Sequence, residues 1–381
     1  MFGGSIWCMT YCTKCVMPDT KPGITFDSEG VCSACRANER KAVIDCDMRY
    51  NELKKICDKY RGKFGNDYDC IIAVSGGKDS HYQVHIMKEE MRMNPLLVTV
   101  EDNFPMTEAG KHNIRNISEV FGCDILSFKP NIKVQKILMR KTFEKYAKPT
   151  WYIDRLIYTY PIHIAVRFGI PLVVYGENVS YEYGGLNAVE KYSANDQIMN
   201  GVASDIPWEE LTGDGVSMKD ISLCVFPDEK NLKALKFDSI YMSYFVKWNS
   251  FRNYQYAKKR GFQDLTHEWK REHHIEDFTQ VDSRGYLVHG WLRYPKFGYA
   301  SATNLGSRFI RYGLLSREEA KQLVKEHDHK LDSLVVRDFC ELAGYTPTEF
   351  WQIVDKFYNK DLFTKDENGR WVLKHPVWQE S

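Results

Sequence analysis

The stretch Asp69-Cys70-Ile71-Ile72-Ala73-Val74-Ser75-Gly76-Gly77-Lys78-Asp79-Ser80 decides the fold of this chain. Residues 70–74 are apolar without interruption, which predicts a buried strand. Apolar side chains then recur three or four residues apart at Val84, Met87 and Met91, so we expect a helix from about residue 79 to residue 91. The glycines would let the backbone approach a ligand, and the free N–H groups at the helix start would face an anion. The stretch therefore predicts a phosphate-binding turn.

A Walker A loop is one phosphate-binding turn with which this stretch can be compared. That pattern needs a glycine five residues before the Gly-Lys pair and a serine or threonine directly after it. Ile72 and Asp79 occupy those two positions, so the stretch is not a Walker A loop. Lys78 either contacts phosphate or faces water.

Strands and helices alternate along the chain after this turn. Apolar runs predict strands at 96–100, 124–128 and 171–175, and the segments 107–121, 132–146 and 151–168 read as helices. This alternation is typical of a doubly wound α/β fold with a parallel sheet. Ligands bind such sheets at the carboxyl ends of the strands, which here are residues 75–80, 101–103 and 176–178.

Two later groups of polar residues are candidates for the same site. Glu177 and Asn178 would meet magnesium or the substrate, or else they lie in a solvated loop. Arg293 and Lys296 stand beside Pro295 and Gly298, which predict a loop. From that loop both cations would reach a triphosphate, and a merely exposed basic loop is the alternative.

Four cysteines near the start have the spacing of a metal site. Cys12 and Cys15 form one CxxC pair, and Cys32 and Cys35 form a second pair after 16 residues. Two such pairs can close a tetrahedral four-thiolate site with no open position, so a structural zinc ribbon is favoured. An iron–sulfur cluster and unligated thiols are the alternatives.

Composition limits the compartment and the partners. The 52 basic and 51 acidic residues give a net charge of +1, which implies no polyelectrolyte partner and argues against a nucleic-acid substrate. No apolar run approaches the roughly 18–20 residues of a membrane span. The opening residues do not resemble a signal peptide, and Met9 is an alternative start. Eleven cysteines, an odd number, argue against a disulfide framework and for a cytoplasmic protein.

We expect three domains: a zinc ribbon and linking helix in residues 1–62, an ATP-binding domain in 63–185, and an α+β substrate or partner region in 186–381. Within them, residues 181–185 predict a mobile loop and residues 205–220 a surface insertion. The aromatic-rich stretch 241–256 is either core or a surface that stacks on sugar rings. Residues 316–325 and 346–358 read as capped helices.

The hexapeptide Ser75-Gly76-Gly77-Lys78-Asp79-Ser80 resembles the PP-loop of the N-type ATP pyrophosphatases, which have a HUP-like fold. The resemblance implies that the loop grips the β- and γ-phosphates of ATP while a substrate oxygen attacks the α-phosphate. It implies catalytic roles for Asp79 and Lys78, together with Lys296 and Arg293, and a Mg²⁺ requirement. The nucleotide-binding residues implied are Ala73, Ser75, Gly76, Gly77, Lys78, Asp79, Ser80, Val100, Glu101, Gly176, Glu177 and Asn178.

A second resemblance covers the chain from about residue 11 to the final helix. Tyr-Cys-Thr-Lys-Cys-Val-Met-Pro-Asp-Thr-Lys-Pro at 11–22, Gly-Val-Cys-Ser-Ala-Cys at 30–35 and Tyr-Pro-Lys-Phe-Gly-Tyr at 294–299 are similar to the N-acetyl sugar amidotransferases of surface-polysaccharide (O-antigen, lipopolysaccharide) biosynthesis, the WbpG-like family. The chain departs from that pattern at Asn304, where the family leads us to expect an acidic residue. The resemblance implies conversion of an acetamido group to an acetamidino group on a UDP-linked N-acetylated sugar.

The ammonia for this reaction would come from a partner. Cys123 lacks the Gly-x-Cys-x-Gly setting of one glutaminase class, and Phe2 excludes an N-terminal cysteine after Met1. The resemblance implies glutaminase and cyclase-like subunits similar to those of histidine biosynthesis. The alternative is a PP-loop tRNA-modifying enzyme of the thiolation type, against which stand the near-neutral charge and the absence of a further cysteine pair in residues 63–185. A nucleotide-binding regulator without turnover is a third possibility.

Overall fold

A computed structural model of the chain describes residues 9–63, 68–186, 188–195 and 206–380. The strands are β1 (Cys70–Ala73), β2 (Pro95–Val100), β3 (Ile125–Phe128), β4 (Leu172–Tyr175), β5 (Asp238–Tyr241), β6 (Phe363–Lys365) and β7 (Trp371–Leu373). The helices up to β4 are α1 (Ser33–Ala42), α2 (Cys46–Tyr60), α3 (Lys78–His85), α4 (Glu108–Phe121), α5 (Ile132–Tyr146) and α6 (Trp151–Phe168). The later helices are α7 (Val179–Tyr183), α8 (Trp208–Leu211), α9 (Glu229–Leu235), α10 (Met242–Phe245), α11 (Ser250–Lys259), α12 (Val288–Trp291), α13 (Arg293–Phe297), α14 (Ser301–Arg311), α15 (Arg317–His327), α16 (Ser333–Ala343) and α17 (Pro347–Asp355).

Five strands form one parallel sheet in the order β3-β2-β1-β4-β5. The order reverses between β1 and β4, and a doubly wound sheet of this kind binds ligands in the crevice at that point. The predicted α/β class with a parallel sheet is confirmed. The predicted helices 132–146 and 151–168 match α5 and α6 at both ends.

The apolar run at 70–74 is explained by burial on both sides of β1. Ile72 packs on one face of the sheet with Leu53 of α2, Val84 of α3 and Ile117 of α4. Ile71, the next residue along, packs on the opposite face with Ile164 of α6. A strand covered on both faces has no solvent-facing positions, so its apolar residues do not alternate with polar ones.

The sheet continues beyond the boundary predicted at residue 185. β5 pairs with β4 in parallel register, Leu172 with Asp238 and Tyr175 with Tyr241. This strand was not predicted, because it is four residues long and starts with the polar pair Asp238-Ser239. The aromatic stretch that follows is largely core, with Tyr241, Phe245 and Trp248 buried. Of the two alternatives given for it, core and a surface that stacks on sugar rings, this agrees with the first.

One predicted loop is wrong. Residues 179–183 form α7 instead of a mobile loop, and Tyr181 and Tyr183 are buried. The segment 205–220 was predicted as a surface insertion, and most of its described residues, 206–220, are exposed. Three apolar side chains in it, those of Ile206, Leu211 and Val216, pack into a cluster with α5 and α6. In both segments the sequence is polar or rich in glycine, and the partners of the apolar side chains lie far away in the chain.

The N-terminal region packs on the sheet domain through α1 and α2. The single linking helix expected after the cysteines is instead this pair, separated by a turn at residues 43–45. Ile24 lies against Gly184, where a side chain would come within 3.2 Å of it, and Lys41 forms an ion pair with Glu182. The cysteine-rich region therefore supports the segment that follows β4.

The C-terminal region is an α+β unit, as predicted. Phe143 of α5 packs with Phe339 of α16 and Phe350 of α17 in a large apolar core. The β6–β7 hairpin completes it. The loop expected at Arg293 is the short helix α13, which ends at Gly298 with φ of 75°. In the described part of the chain, no helix is long and apolar enough to cross a membrane.

α4 is the surface on which the C-terminal region docks. Glu268 accepts hydrogen bonds from the N–H groups of Glu108 and Ala109 at 3.0 Å each, so its carboxylate meets the positive end of the helix. Asn113 exchanges two hydrogen bonds of 2.8 Å with the backbone of Gln263. These contacts fix the C-terminal region against the edge of the sheet where the strands end.

Candidate active site

The glycine turn after β1 has the geometry of an anion cradle. Gly76 has φ of 80°, and a Cβ there would lie 3.0 Å from the backbone nitrogen of Ile114 in α4. Only glycine fits such a position without strain. The Ser80 hydroxyl accepts a hydrogen bond from the Ser75 N–H at 3.0 Å, which holds the turn closed, and α3 begins directly after Gly77.

A cavity of about 340 Å³ lies at the point where the strand order reverses. Of the residues predicted to bind the nucleotide, those that line it are Ala73, Ser75, Asp79, Ser80, Val100, Glu101, Gly176 and Glu177. They come from the ends of β1, β2 and β4, as the parallel sheet requires. The structure therefore brings the three predicted strand ends together around one space.

Asp79 is held in place by two neighbours. Asn253 of α11 donates a hydrogen bond to its carboxylate at 2.7 Å, and the ammonium group of Lys78 lies 2.8 Å from its other oxygen. Lys78 is buried, so it does not face water. Asn253 was not predicted, because nothing in the sequence around it signals a contact with a residue 174 positions earlier.

Glu177 lines the same cavity as Asp79 and lies close enough to feel its charge. Removal from water and, second, the charge of Asp79 together raise the pKa of the Glu177 carboxyl to about 7. Tyr183 donates a hydrogen bond to this carboxyl at 3.4 Å, and the guanidinium of Arg308 lies over the Tyr183 ring at 3.5 Å. Two neighbouring carboxylates are the oxygen ligands that Mg²⁺ prefers.

Asn178 lies beside the cavity with its side chain directed elsewhere. Its side-chain oxygen caps α7 by accepting a hydrogen bond from the Tyr181 N–H at 3.3 Å, and its amide group donates to the carbonyl of Val189 at 3.3 Å. Its predicted binding role stays a prediction.

Lys296 and Arg293 lie on α13 and are not among the described residues that line the cavity. The Lys296 ammonium group donates a hydrogen bond to the carbonyl of Ala147 at 3.0 Å. Burial and, to a lesser extent, the charges of Lys148 and Arg293 together lower the pKa of Lys296 to about 7. The catalytic roles of Lys296 and Arg293 stay predictions.

One wall of the cavity comes from the C-terminal region. Asp282 accepts a hydrogen bond from the Thr107 N–H at 3.0 Å through its backbone carbonyl, and Ser283 forms an isolated bridge with Met106. A Cβ on Gly110 would lie 2.6 Å from that carbonyl, so the glycine permits this close approach. The side chains of Asp282 and Ser283 consequently reach the cavity.

Two carboxylates that line the cavity, those of Asp102 and Asp282, are not among the predicted site residues. Ser283 donates a hydrogen bond to Asp102 at 2.6 Å. Removal from water raises the pKa of Asp102 to about 6. The same cause raises the pKa of Asp282 to about 7, and the charge of Asp102 adds to the shift. Asp102 follows β2 in the strand end that was singled out, which is the one signal that pointed to it.

A second wall of the cavity is apolar and belongs largely to α6. It presents Ile153, Ile157 and Tyr158 to the cavity, and Val98 and Val100 of β2 add to the apolar lining. Tyr286 borders this wall and donates a hydrogen bond to the buried carboxylate of Asp154. A cleft with a polar side and an apolar side suits a ligand that carries both phosphates and a ring system.

The four cysteines of the two CxxC pairs form a cluster apart from this cavity. Their sulfur atoms all lie within 4.8 Å of one another, with 3.9 Å between Cys12 and Cys35 and 3.8 Å between Cys15 and Cys32. A tetrahedral zinc with Zn–S bonds of about 2.3 Å separates its sulfurs by about 3.8 Å. This spacing suits one ion and leaves no room for a multi-iron cluster. The N–H of Cys32 donates to the Cys12 sulfur at 3.2 Å, as it would to a thiolate.

Comparison with known proteins identifies the C-terminal region. Residues 238–376 match a family described as LPS biosynthesis protein WbpG-like, C-terminal domain. This region belongs to the WbpG-like family. The finding confirms the resemblance drawn from the sequence motifs.

Two further proteins show similarity. The uncharacterized protein MJ1599 of Methanocaldococcus jannaschii is 22% identical over 210 residues, which cover 52% of this chain and 74% of that protein. Among solved structures, the NMN synthetase from Francisella tularensis aligns over 59% of this chain and all of its own, with 10% identity and a TM-score of 0.29.

The WbpG-like region supplies the side chains that complete the cavity. Asn253, Asp282, Ser283 and Tyr286 all lie within residues 238–376. The glycine turn and Glu177 lie outside it, in the part of the chain that builds the first four strands. The site is therefore assembled from two parts of the sequence, and neither part holds it alone.

Proposed function

We propose that the chain is an ATP-dependent amidotransferase that converts the acetamido group of a UDP-linked N-acetylated sugar into an acetamidino group. The observation that carries the proposal is the shared cavity, in which the glycine turn meets Asp282 and Ser283 of a WbpG-like region. An ATP-binding turn alone would serve many reactions. The family of the region that supplies Asp282 and Ser283 narrows the substrate to a sugar precursor of LPS.

ATP would bind with its outer phosphates on the turn at 75–80. The first N–H groups of α3, which follow Gly77 and have no acceptor within the helix, would donate to these phosphates. The apolar wall of α6, with Val98 and Val100, would receive the adenine and the sugar. Asp79 and Glu177 would hold Mg²⁺, which neutralises the charge that develops on the departing pyrophosphate.

The chemistry follows from the poor reactivity of an amide. The acetamido oxygen attacks the α-phosphorus, the bond to the β-phosphate breaks, and pyrophosphate leaves. The resulting O-adenylyl imidate carries AMP, a far better leaving group than the original oxygen. Ammonia then forms the C–N bond and AMP departs. Preorganised donors at the pyrophosphate stabilise the transition state of the first step, and each one typically lowers the barrier by about 2.7–4 kcal/mol.

Ammonia would be supplied by a glutaminase partner with a cyclase-like subunit. A glutaminase needs a reactive thiolate. Burial instead raises the pKa of the thiols outside the metal cluster that the structure buries, namely Cys57, Cys70, Cys123, Cys224 and Cys340. Zinc at the cysteine cluster would be structural, and the reaction would take place in the cytoplasm, where nucleotide sugars and ATP are made.

Product analysis tests the proposal. The chain is incubated with ATP, Mg²⁺, ammonium chloride and a panel of UDP-linked N-acetyl sugars, beginning with UDP-N-acetylglucosamine. We expect AMP and pyrophosphate in equal amounts, together with a sugar nucleotide whose mass shows oxygen replaced by NH. Formation of ADP and phosphate would contradict the proposal. Turnover that requires added tRNA would favour the tRNA-modifying alternative.

A further inference from the structure

One carboxylate in the cavity, that of Asp282, has no role in the ATP binding proposed above. The Oδ1 atom of Asp282 is buried and has no hydrogen-bond partner among the residues that the structure describes. A buried carboxylate oxygen without a donor is costly, because it loses its water and gains no hydrogen bond. Such an atom in a ligand cavity points to a donor that arrives with the substrates.

The surroundings of Asp282 favour a small cationic or polar donor. The charged groups that act on it are Asp102, which repels its negative charge, and Lys78, which attracts it. Lys78 is already engaged, because its ammonium group lies 2.8 Å from the Asp79 carboxylate. Asp102 is likewise bonded to Ser283 at 2.6 Å. Asp282 is therefore the carboxylate on this wall that is left to receive a hydrogen-bond donor.

The position of Asp282 is fixed by the backbone. The Thr107 N–H donates to the Asp282 carbonyl, the Thr107 hydroxyl donates to the carbonyl of Val281, and Gly110 packs against the same peptide. A carboxylate on a rigid segment is suited to accept a proton at a defined place. Among the lining residues, Asp79 and Glu177 come from the part of the chain that carries the glycine turn, and Asp282 comes from the WbpG-like region.

We propose that Asp282 binds the incoming ammonia and is the general base of the second half-reaction; this inference rests on the proposed function. The nitrogen forms a bond to the carbon of the protonated O-adenylyl imidate and becomes positively charged. One of its protons passes to the Asp282 carboxylate. The nitrogen lone pair then expels AMP, which leaves with the electrons of the C–O bond, and the amidinium product remains.

The pKa of Asp282 is compatible with this role. Its value of about 7 lies near the operating pH, where a carboxylate is a stronger base than usual and is still substantially deprotonated. Asp102 contributes by its negative charge, which favours a proton on Asp282 once the ammonia has attacked.

The test separates the two half-reactions in the full-length chain. Wild type and Asp282→Asn are assayed for ammonium-dependent AMP formation, and for exchange of labelled pyrophosphate into ATP without ammonium, using the UDP-linked N-acetyl sugar that wild type turns over. We expect Asp282→Asn to lose about 100-fold or more of the ammonium-dependent rate. Exchange should stay within about threefold of wild type, because adenylylation does not need this base. Asp361→Asn, at an exposed site before the C-terminal hairpin, is the matched control and should keep both activities.

Three outcomes would overturn the inference or separate it from the proposed function. Equal loss of exchange and of ammonium-dependent turnover in Asp282→Asn would assign Asp282 to ATP binding. Recovery of the variant by excess Mg²⁺ would assign it to metal binding. Absence of sugar-dependent exchange in wild type would instead reject the proposed function itself. A fluorescence-monitored melt of each variant checks that it folds.

Discussion

The Ser283 hydroxyl donates a hydrogen bond to the Asp102 carboxylate at 2.6 Å, across 181 positions of sequence. Asp102 follows β2, and Ser283 belongs to the WbpG-like region, so this bond joins the two parts of the chain inside the cavity. The hydrogen bond also lowers the pKa of Asp102, which removal from water raises to about 6. The contact therefore makes the charged form of a half-buried carboxylate less costly.

Substitution of Ser283 by alanine should destabilise the protein in a pH-dependent way. The raised pKa of Asp102 means that the folded state holds its proton more tightly than the unfolded state, so stability falls as pH rises from about 4 to 6. Without the Ser283 hydroxyl this pKa rises further, and the loss becomes larger at high pH. We expect Ser283→Ala to lower the free energy of unfolding by about 1–3 kcal/mol at pH 8 and by less at pH 5, measured by urea unfolding. An equal loss at both pH values would contradict this account.

Gly76→Ala tests the close approach of the glycine turn to α4. The added Cβ would meet the Ile114 nitrogen at 3.0 Å in a backbone conformation with φ of 80°. Gly122→Ala is the matched control, because Gly122 also has a positive φ of 57° and no atom lies within 4 Å of its Cβ position. Backbone strain should lower the free energy of unfolding of both variants by about 1–2 kcal/mol. Only Gly76→Ala should also weaken ATP binding, measured by calorimetry. Equal ATP affinity in the two variants would contradict the proposal that the glycine turn binds the phosphates.

The Mg²⁺ requirement should depend on pH through Glu177. Its pKa of about 7 reflects removal from water and the charge of Asp79, opposed by Arg308 and Lys78, with Glu182 adding to the rise. As pH rises from 6 to 8 the carboxyl loses its proton and becomes a metal ligand, so the Mg²⁺ concentration for half-maximal rate should fall several-fold. Glu177→Gln should abolish this trend. A variant that kept the wild-type pH dependence would exclude Glu177 as the titrating group.

Removal of one cysteine should release the metal and weaken the support of the ATP site. Cys32→Ser should lower the zinc content, measured by atomic emission, from about one ion per chain to near zero. It should also lower the melting temperature, because the cysteine region packs Ile24 against Gly184 and holds Glu182 through Lys41. Cys46→Ser is the control, since Cys46 lies outside the cluster with its thiol donating to the Ile44 carbonyl. A full zinc content in Cys32→Ser would refute the site.

The sequence predicted those elements whose signal is local. β1 was clear because five apolar residues precede a glycine turn, and α5 and α6 were clear because their periodic patterns run for 15 and 18 residues. β5 was missed because four residues that begin with Asp238-Ser239 carry little pattern, and only pairing with β4 makes them a strand. Local propensity is a weak guide where tertiary contacts decide.

The candidate site likewise contains residues that local sequence predicts and residues that only tertiary contacts bring in. Ser75, Asp79, Ser80, Glu101 and Glu177 follow strands and line the cavity, a position that the rule for parallel sheets predicts. Asp282 and Ser283 reach the cavity because the C-terminal region docks on α4 through Glu268 and Gln263, and Asn253 reaches Asp79 from α11. No spacing in the sequence encodes that docking. The loop expected at 181–185 failed for the same reason, because its burial depends on contacts with the cysteine region.

Asn253 should control how well Asp79 serves as a Mg²⁺ ligand. Its amide donates to the Asp79 carboxylate at 2.7 Å and fixes its orientation beside Lys78. Asn253→Ala removes a hydrogen bond to a charged group, typically about 1.5–3 kcal/mol, and should weaken Mg²⁺-ATP binding about 10-fold or more. At pH 8, Asn253→Asp should weaken Mg²⁺-ATP binding more than Asn253→Ala does, because it places a second negative charge against Asp79. At pH 6 the affinity of Asn253→Asp should recover in part, since one of the two carboxyls takes up a proton. Asn368→Asp, in the exposed C-terminal hairpin, makes the same change in charge and should bind as wild type does. If Asn253→Asp bound Mg²⁺-ATP as tightly as Asn253→Ala at pH 8, Asp79 would not be the carboxylate that meets the metal.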